Sequence, residues 1–185
     1  MESKKKTVKL SEQALWTAFK RGDRNAFDTL YNQYVRLLYT YGRTITNNAG
    51  LVEDCIQEVF ITLLTKREGL KETDSIKFYL FKALNRRITE ALSRTRLVVT
   101  MLPPGGDAYT FSLWWTEMAR EEDSMQADKL EACMAELTDR QRQIIFLRFY
   151  CELRFTEIAQ MLGLSMKGTY KLLGRAIGGL REQLR

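Results

Sequence analysis

Histidine is absent from the sequence. Its absence removes imidazole acid–base chemistry and every zinc site built on histidine. Proline is almost missing as well, and the only two, Pro103 and Pro104, are adjacent. Long stretches therefore run free of the residue that most strongly breaks helices. Cysteine is sparse: Cys55, Cys133 and Cys151 are odd in number, far apart and not in a C-x-x-C pair. That spacing argues against a disulfide framework. Each lies in an apolar helical pattern, which predicts buried thiols in a reducing compartment. No apolar run approaches the roughly 20 residues of a membrane span. The basic start, MESKKKTVKL, lacks the apolar stretch of a signal peptide. The expectation is a cytoplasmic protein without direct membrane insertion, metal or cofactor.

What is present points to helices and to an acidic partner. About 45% of the 185 residues are apolar, enough for a core, and Leu, Arg, Glu and Ala are abundant. The net charge of +6 favours nucleic acid or another anionic surface, and its distribution is more informative than its total. Residues 1–97 carry 18 Lys/Arg and 11 Asp/Glu, net +7. Residues 98–128 carry one Arg and six acids, net −5, and include the breaker run PPGGD at 103–107. Residues 129–185 carry ten basic and six acidic residues, net +4. This predicts an all-α protein of two small helical domains, 1–97 and 129–185, joined by a flexible acidic linker, 98–128. The linker holds Trp114 and Trp115. Two exposed tryptophans would be adhesive, so they are expected to dock on a domain or on a partner. The stretch after Trp115 has a helical pattern that could run into the second domain.

In the C-terminal segment, LTDRQRQIIFLRFYCEL has Thr138 as a candidate N-cap, Asp139 beside it, and Ile144, Ile145, Leu147 and Phe149 on an apolar side. A break near Glu152–Arg154 and a cap at Thr156 would start a second helix, with Ile158, Ala159 and Leu162 inward. Gly163 can take the left-handed conformation that ends a helix, and Ser165 can cap the next one. Helix, glycine corner, helix is the helix-turn-helix layout. In the last helix Met166, Thr169, Leu172, Leu173, Ala176, Ile177 and Leu180 cluster on one side. Lys167, Lys171 and Arg175 gather on the other, with Tyr170 on the flank. The N-terminal part of such a helix reaches base edges in the major groove. Lys167, Tyr170 and Lys171 are the candidates for that, and Arg175 is placed for a phosphate. A basic helix face alone is most often just solvated; the glycine corner and serine cap at this spacing are what favour DNA.

The entry pattern LTDRQR, then EIAQMLGLS, then RAI and LR, over Leu137–Leu184, resembles the −35-binding domain of bacterial RNA polymerase sigma factors. The resemblance adds Gly168 and Thr169 to the −35 segment, where members often carry Thr-Val just before the position of Tyr170. The first domain fits the same family. LVEDCIQEVFITLLTK places Val52, Cys55, Ile56, Val59, Phe60, Leu63 and Leu64 in a core stripe, and Asp54, Gln57 and Glu58 at i, i+3, i+4 on another face. The family's D-x-x-Q-E-V-F helix docks on the polymerase clamp, which implies that role for Asp54, Gln57 and Glu58, with Phe60 and Ile61 beside them. SIKFYLFKALNRRITEALSRTR has Leu80, Ala83, Leu84, Ile88, Leu92 and either Phe78 or Tyr79 as core positions. The family uses this helix and the loop before it, about 66–75, for the −10 element, which implies Lys77, Lys82, Asn85, Arg86, Arg87 and Arg94. Members often carry Arg-Asn where this chain has Asn85-Arg86.

Both domains, in this order and with no large region between, resemble the extracytoplasmic-function group of the sigma-70 family. The resemblance implies a non-enzymatic transcription initiation factor. It would bind core RNA polymerase, hold promoter DNA at −35, aid opening at −10, and thread its acidic linker through the polymerase channel. It also implies an anti-sigma factor as a regulatory partner. The rivals are a stand-alone helix-turn-helix regulator and a helical adaptor that binds only proteins.

Overall fold

The computed structural model describes residues 11–96, 132–134 and 136–184. The expectations placed on the linker, including Trp114 and Trp115, lie outside the described residues. Among the described residues every regular element is helical.

Short polar side chains start the N-terminal helices. Ser11 Oγ accepts from the Ala14 amide at 3.2 Å and opens α1, Glu12–Lys20. Asp23 Oδ1 accepts from the amides of Asn25 and Ala26 and opens α2, Arg24–Arg43. Asn48 Oδ1 accepts from the Leu51 amide at 3.0 Å and opens α3, Ala49–Thr65. Each satisfies an amide that the first helical turn leaves without a partner. A 3-10 turn, Arg67–Gly69, leads to α4, Ile76–Arg96. The interior is aromatic: Trp16, Phe19, Tyr34, Tyr41 and Phe81 are all fully buried. At Gly42 a Cβ atom would lie 2.5 Å from Val52 Cγ1 and 3.2 Å from Ile88 Cδ1, so the missing side chain lets α2 approach α3 and α4 closely.

The stripe expected on α3 is buried except Leu64, which lies at its exposed edge. On α4, Leu80, Leu84 and Ile88 are buried as expected, but Ile76 and Phe81 are fully buried too. The reason is that α4 is packed on two sides, by α2 and α3 and by the C-terminal domain.

Thr138 caps α5, Asp139–Ile145, in a reciprocal capping box with Gln141. The chain then widens into a π-turn over Phe146–Tyr150, closed by the Cys151 amide on the Phe146 carbonyl at 3.0 Å. The extra residue changes the helical phase. Phe149, expected inside, is consequently exposed, and Phe146 takes the interior place. Glu152 sits at φ 54°, a left-handed conformation that few non-glycine residues adopt, and breaks the helix. Helix α6 is Phe155–Leu162, with Arg154 at the N-cap position rather than Thr156. The Glu157 carboxylate reaches back to the Arg154 amide at 2.7 Å, which moves the start of the helix two residues earlier. Gly163 takes φ 64° and ends it; Ser165 Oγ accepts from the Gly168 amide at 3.1 Å and starts α7, Met166–Gln183. All three cysteines are free and buried. Burial pushes the Cys151 thiol far up, which keeps it protonated and inert.

Candidate polymerase and nucleic-acid interfaces

On α3 the residues at i, i+3, i+4 and i+7, namely Asp54, Gln57, Glu58 and Ile61, form one exposed ridge. Ile61 is 58% exposed, unusual for isoleucine. Tyr31 and Leu64 extend the apolar surface beside it. Phe60 is 3% exposed and lies beneath this surface, 4.9 Å from the Tyr31 ring and edge-on to Phe27 at 6.1 Å. It supports the face and does not line it, because its position on the wheel points into the domain. The Cys55 thiol below the ridge is pushed up first by burial and then by Glu58 and Asp54, against the nearby Arg87.

The basic residues of α4 do not share one face. Arg87 turns toward α3, where it pairs with Glu58 at 2.9 Å and Thr62 Oγ1 at 3.0 Å. Arg86 pairs with Glu90 along its own helix at 3.6 Å, and Arg94 is exposed further on. Lys77, Lys82 and Asn85 point to the C-terminal domain. Lys77 Nζ donates to the Cys151 carbonyl at 2.9 Å, Lys82 Nζ to Gln160 Oε1 at 3.5 Å, and Asn85 Nδ2 to the Met161 carbonyl at 3.5 Å. Asn85 Oδ1 accepts from the buried Tyr41 hydroxyl at 3.0 Å, and the Tyr41 ring stacks on Phe146 of the other domain at 6.3 Å. Burial holds the Tyr41 phenol far above its ordinary range, so it stays a donor. Of the six residues expected at −10, Lys77 and Asn85 are thus partly covered by the C-terminal domain in this arrangement, while Lys82 touches it and stays exposed.

The Lys82–Gln160 contact is exposed, so it can be tuned with little risk to the fold. Gln160→Lys sets two cations face to face and should loosen the closed form; Gln160→Glu should tighten it. Exposed pairs are worth up to about 1 kcal/mol, so the closed-to-open ratio should move up to about fivefold in opposite directions. Small-angle scattering of the free protein reads this; identical profiles for both variants would mean that the contact does not hold the domains together.

The segment before α4 is also anchored. The Trp16 indole N–H donates to the Lys71 carbonyl at 3.1 Å, Lys20 pairs with Glu72 at 2.6 Å, and the Trp16 and Tyr79 rings lie 5.4 Å apart. Helix α1 therefore holds the loop about 66–75. Nothing in the motif pattern singled out α1.

On α7, Lys167, Tyr170, Lys171 and Arg175 are exposed on one face. Thr169 is not part of it. Its side chain is fully buried and its hydroxyl donates to the Ser165 carbonyl at 3.0 Å. Gly168 sits under the cap, where a Cβ would be 3.3 Å from Ser165 Oγ. The −35 candidates reduce to the two lysines, Tyr170 and Arg175. The face also has neighbours that sequence reasoning missed. The Phe155 ring packs on Tyr170, and the Arg148 guanidinium lies over Phe155. Their separation in sequence hid them.

Comparison with known proteins agrees with both regions. Residues 30–98 match the family model for sigma-70 region 2, and residues 127–178 match that for sigma-70 region 4. The chain is 26% identical to the RNA polymerase sigma factor SigV of Bacillus subtilis over 82% of this chain and 84% of that one. It is 24% identical to the ECF RNA polymerase sigma factor SigK of Mycobacterium ulcerans over 92% of each. In fold it is similar to the sigma factor RpoE of Bartonella quintana, solved in complex with the anti-sigma factor NepR, with a TM-score of 0.60 at 15% identity over 85% of this chain and 96% of that one. Among the described residues no helix is long and apolar enough to cross a membrane. With a region 2 and a region 4 in order on one helical chain, the protein belongs to the extracytoplasmic-function group of the sigma-70 family, the transcription initiation factors that bind core RNA polymerase and direct it to promoters.

Proposed function

We propose that residues 1–97 dock on core polymerase through the ridge of Asp54, Gln57, Glu58 and Ile61, with Phe60 supporting it, and engage −10 DNA through α4. Residues 129–185 hold the −35 duplex through Lys167, Tyr170, Lys171 and Arg175, and the acidic stretch 98–128 links the two. The observation that carries this is the pairing of an acidic, apolar-tipped ridge with a basic recognition-helix face on one chain. A stand-alone regulator needs the second and has no use for the first.

Acids on a rigid helix suit polar pairing with a basic partner, and an exposed isoleucine among them provides an apolar centre. Single-stranded DNA is held by cations and stacking surfaces, and α4 offers Lys77, Lys82, Asn85, Arg86 and Arg94 for this. Arg87 is tied to Glu58 and so couples that helix to the docking ridge. Lys77 and Asn85, half-buried against the C-terminal domain, become available once it moves off α4, and Lys82 is released from Gln160. The closed form is thus the resting state and the polymerase-bound form an open one. The protein works by positioning, without catalytic residues, in the cytoplasm. The likeness to a factor solved with its anti-sigma protein supports control by such a partner here.

The test is capture of bacterial core polymerase by this protein at two salt concentrations, followed by promoter binding of the complex. Near-stoichiometric capture is expected. Lys171→Ala should weaken promoter binding by about tenfold, within the roughly 1–3 kcal/mol of a base contact, and leave core capture unchanged. Loss of both together would reject the division of roles.

A further inference from the structure

The exposed tyrosine of α7 is held in place. The Tyr170 ring is 54% exposed, yet its centroid lies 4.4 Å from that of Phe155, with 37° between the planes. Phe155 is the first residue of α6. The Arg148 guanidinium lies 4.9 Å from the Phe155 centroid and is itself fixed, because its Nη1 donates to the carbonyl of buried Leu153 at 3.1 Å. A cation, a ring and a second ring thus run in series from the π-turn, through the start of α6, to the recognition helix.

Such an array is not explained by core packing, since Tyr170 remains more than half exposed. Nor is it a free surface side chain, since Phe155 covers it. Tyrosine has only two side-chain torsions, so one stacking contact fixes its direction at small entropic cost. Tyr170 is exposed on the flank of Lys167 and Lys171, in the part of a recognition helix that reaches base edges. Bases in an intact duplex are stacked on one another, so a ring entering the major groove cannot lie flat on one. It can present its edge, and the apolar group that a base offers there is the thymine methyl.

We propose that Tyr170 is a specificity-determining residue that reads a thymine methyl in the −35 duplex, with Phe155 and Arg148 as its positioning residues. This rests on α7 meeting the −35 duplex.

Two pools of duplexes, randomised across the −35 positions, separate the possibilities. One pool contains thymine and the other uracil, which lacks only the methyl. Each is selected by the complex of the full chain with core polymerase. At one position thymine should be enriched, and the preference should fall about fourfold in the uracil pool, the worth of one buried methyl. Tyr170→Ala should abolish the difference between pools, and Tyr170→Phe should keep it. Phe155→Leu and Arg148→Gln should shrink the thymine-to-uracil ratio while core capture stays normal. A purely structural role would instead weaken binding to all sequences alike. The proposal is overturned by equal enrichment of both pools with the unaltered protein, or by a ratio that survives Tyr170→Ala. A complex that enriches no −35 sequence in either pool would remove the −35 assignment itself, a different failure.

Discussion

Replacing Asp54 and Glu58 together by alanine should weaken binding to core polymerase about 30-fold or more and leave the helical fold in place. Removing one partner of a desolvated charge pair at an interface costs about 2–5 kcal/mol, and 1.4 kcal/mol is a factor of ten. The effect on folding should be small. Glu58 is more than half exposed in its pair with Arg87, and exposed pairs contribute about 1 kcal/mol or less. Glu53 is the comparison, because it is exposed on the same helix but turned by ~100° from Asp54. Glu53→Ala should keep full affinity. Fluorescence anisotropy of labelled protein titrated with core polymerase reads all three proteins. Unchanged affinity in the double variant would move the docking face elsewhere on the domain. Ile61→Ser should add to the loss, since its side chain supplies the apolar centre of the same ridge.

Trp16→Ala should be the most damaging single substitution in the N-terminal domain. The side chain is fully buried and packs on Phe19 and Tyr79. Truncation of a buried tryptophan costs about 3–5 kcal/mol, a large share of the roughly 5–15 kcal/mol that holds a domain together. The Lys71 carbonyl would lose its indole donor as well. The same side chain also anchors the loop ahead of α4, which we propose engages −10 DNA. Thermal unfolding followed by circular dichroism should show the domain's transition shifted down by about 10 °C or more. Trp16→Phe keeps a buried aromatic ring but loses the N–H and part of the indole's bulk, so it should recover only part of the loss. If Trp16→Ala melted like the parent, α1 would be an appendage and the loop would be held by other contacts.

The two substitutions probe features of different legibility. The shared outward face of Asp54, Gln57 and Glu58 could be read from spacing alone, since they fall on one side of any α-helix and the apolar stripe 52–63 shows which face is inward; the docking proposed for it comes from the family resemblance. The glycine corner and the caps at Thr138 and Ser165 were equally plain, and the structure has them in the expected conformations. The role of Trp16 could not be read this way, since its partners lie 55 and 63 residues further along the chain. Thr169 falls on the apolar side of the α7 wheel and is buried as that pattern expects, whereas the family resemblance, which locates a segment and not a face, set it among the −35 residues. Phe149 was misplaced because a single extra residue in the π-turn rotates everything after it, and periodicity assumes that no such residue exists.

By itself the sequence determined the helical class, the caps at Thr138 and Ser165, the helix-turn-helix corner and the separation of charge into basic, acidic and basic segments. These follow from interactions among residues three or four apart, or from composition, and need no knowledge of what packs on what. Only the tertiary structure decided where the charges of α4 go. Lys77 meets a carbonyl 74 residues away, Asn85 one 76 residues away, and Arg87 a carboxylate 29 residues back. A helix wheel places these side chains around a cylinder but carries no information about the surfaces that surround it. Packing against two other bodies turns Arg87 toward α3 and points Lys77 and Asn85 at the second domain.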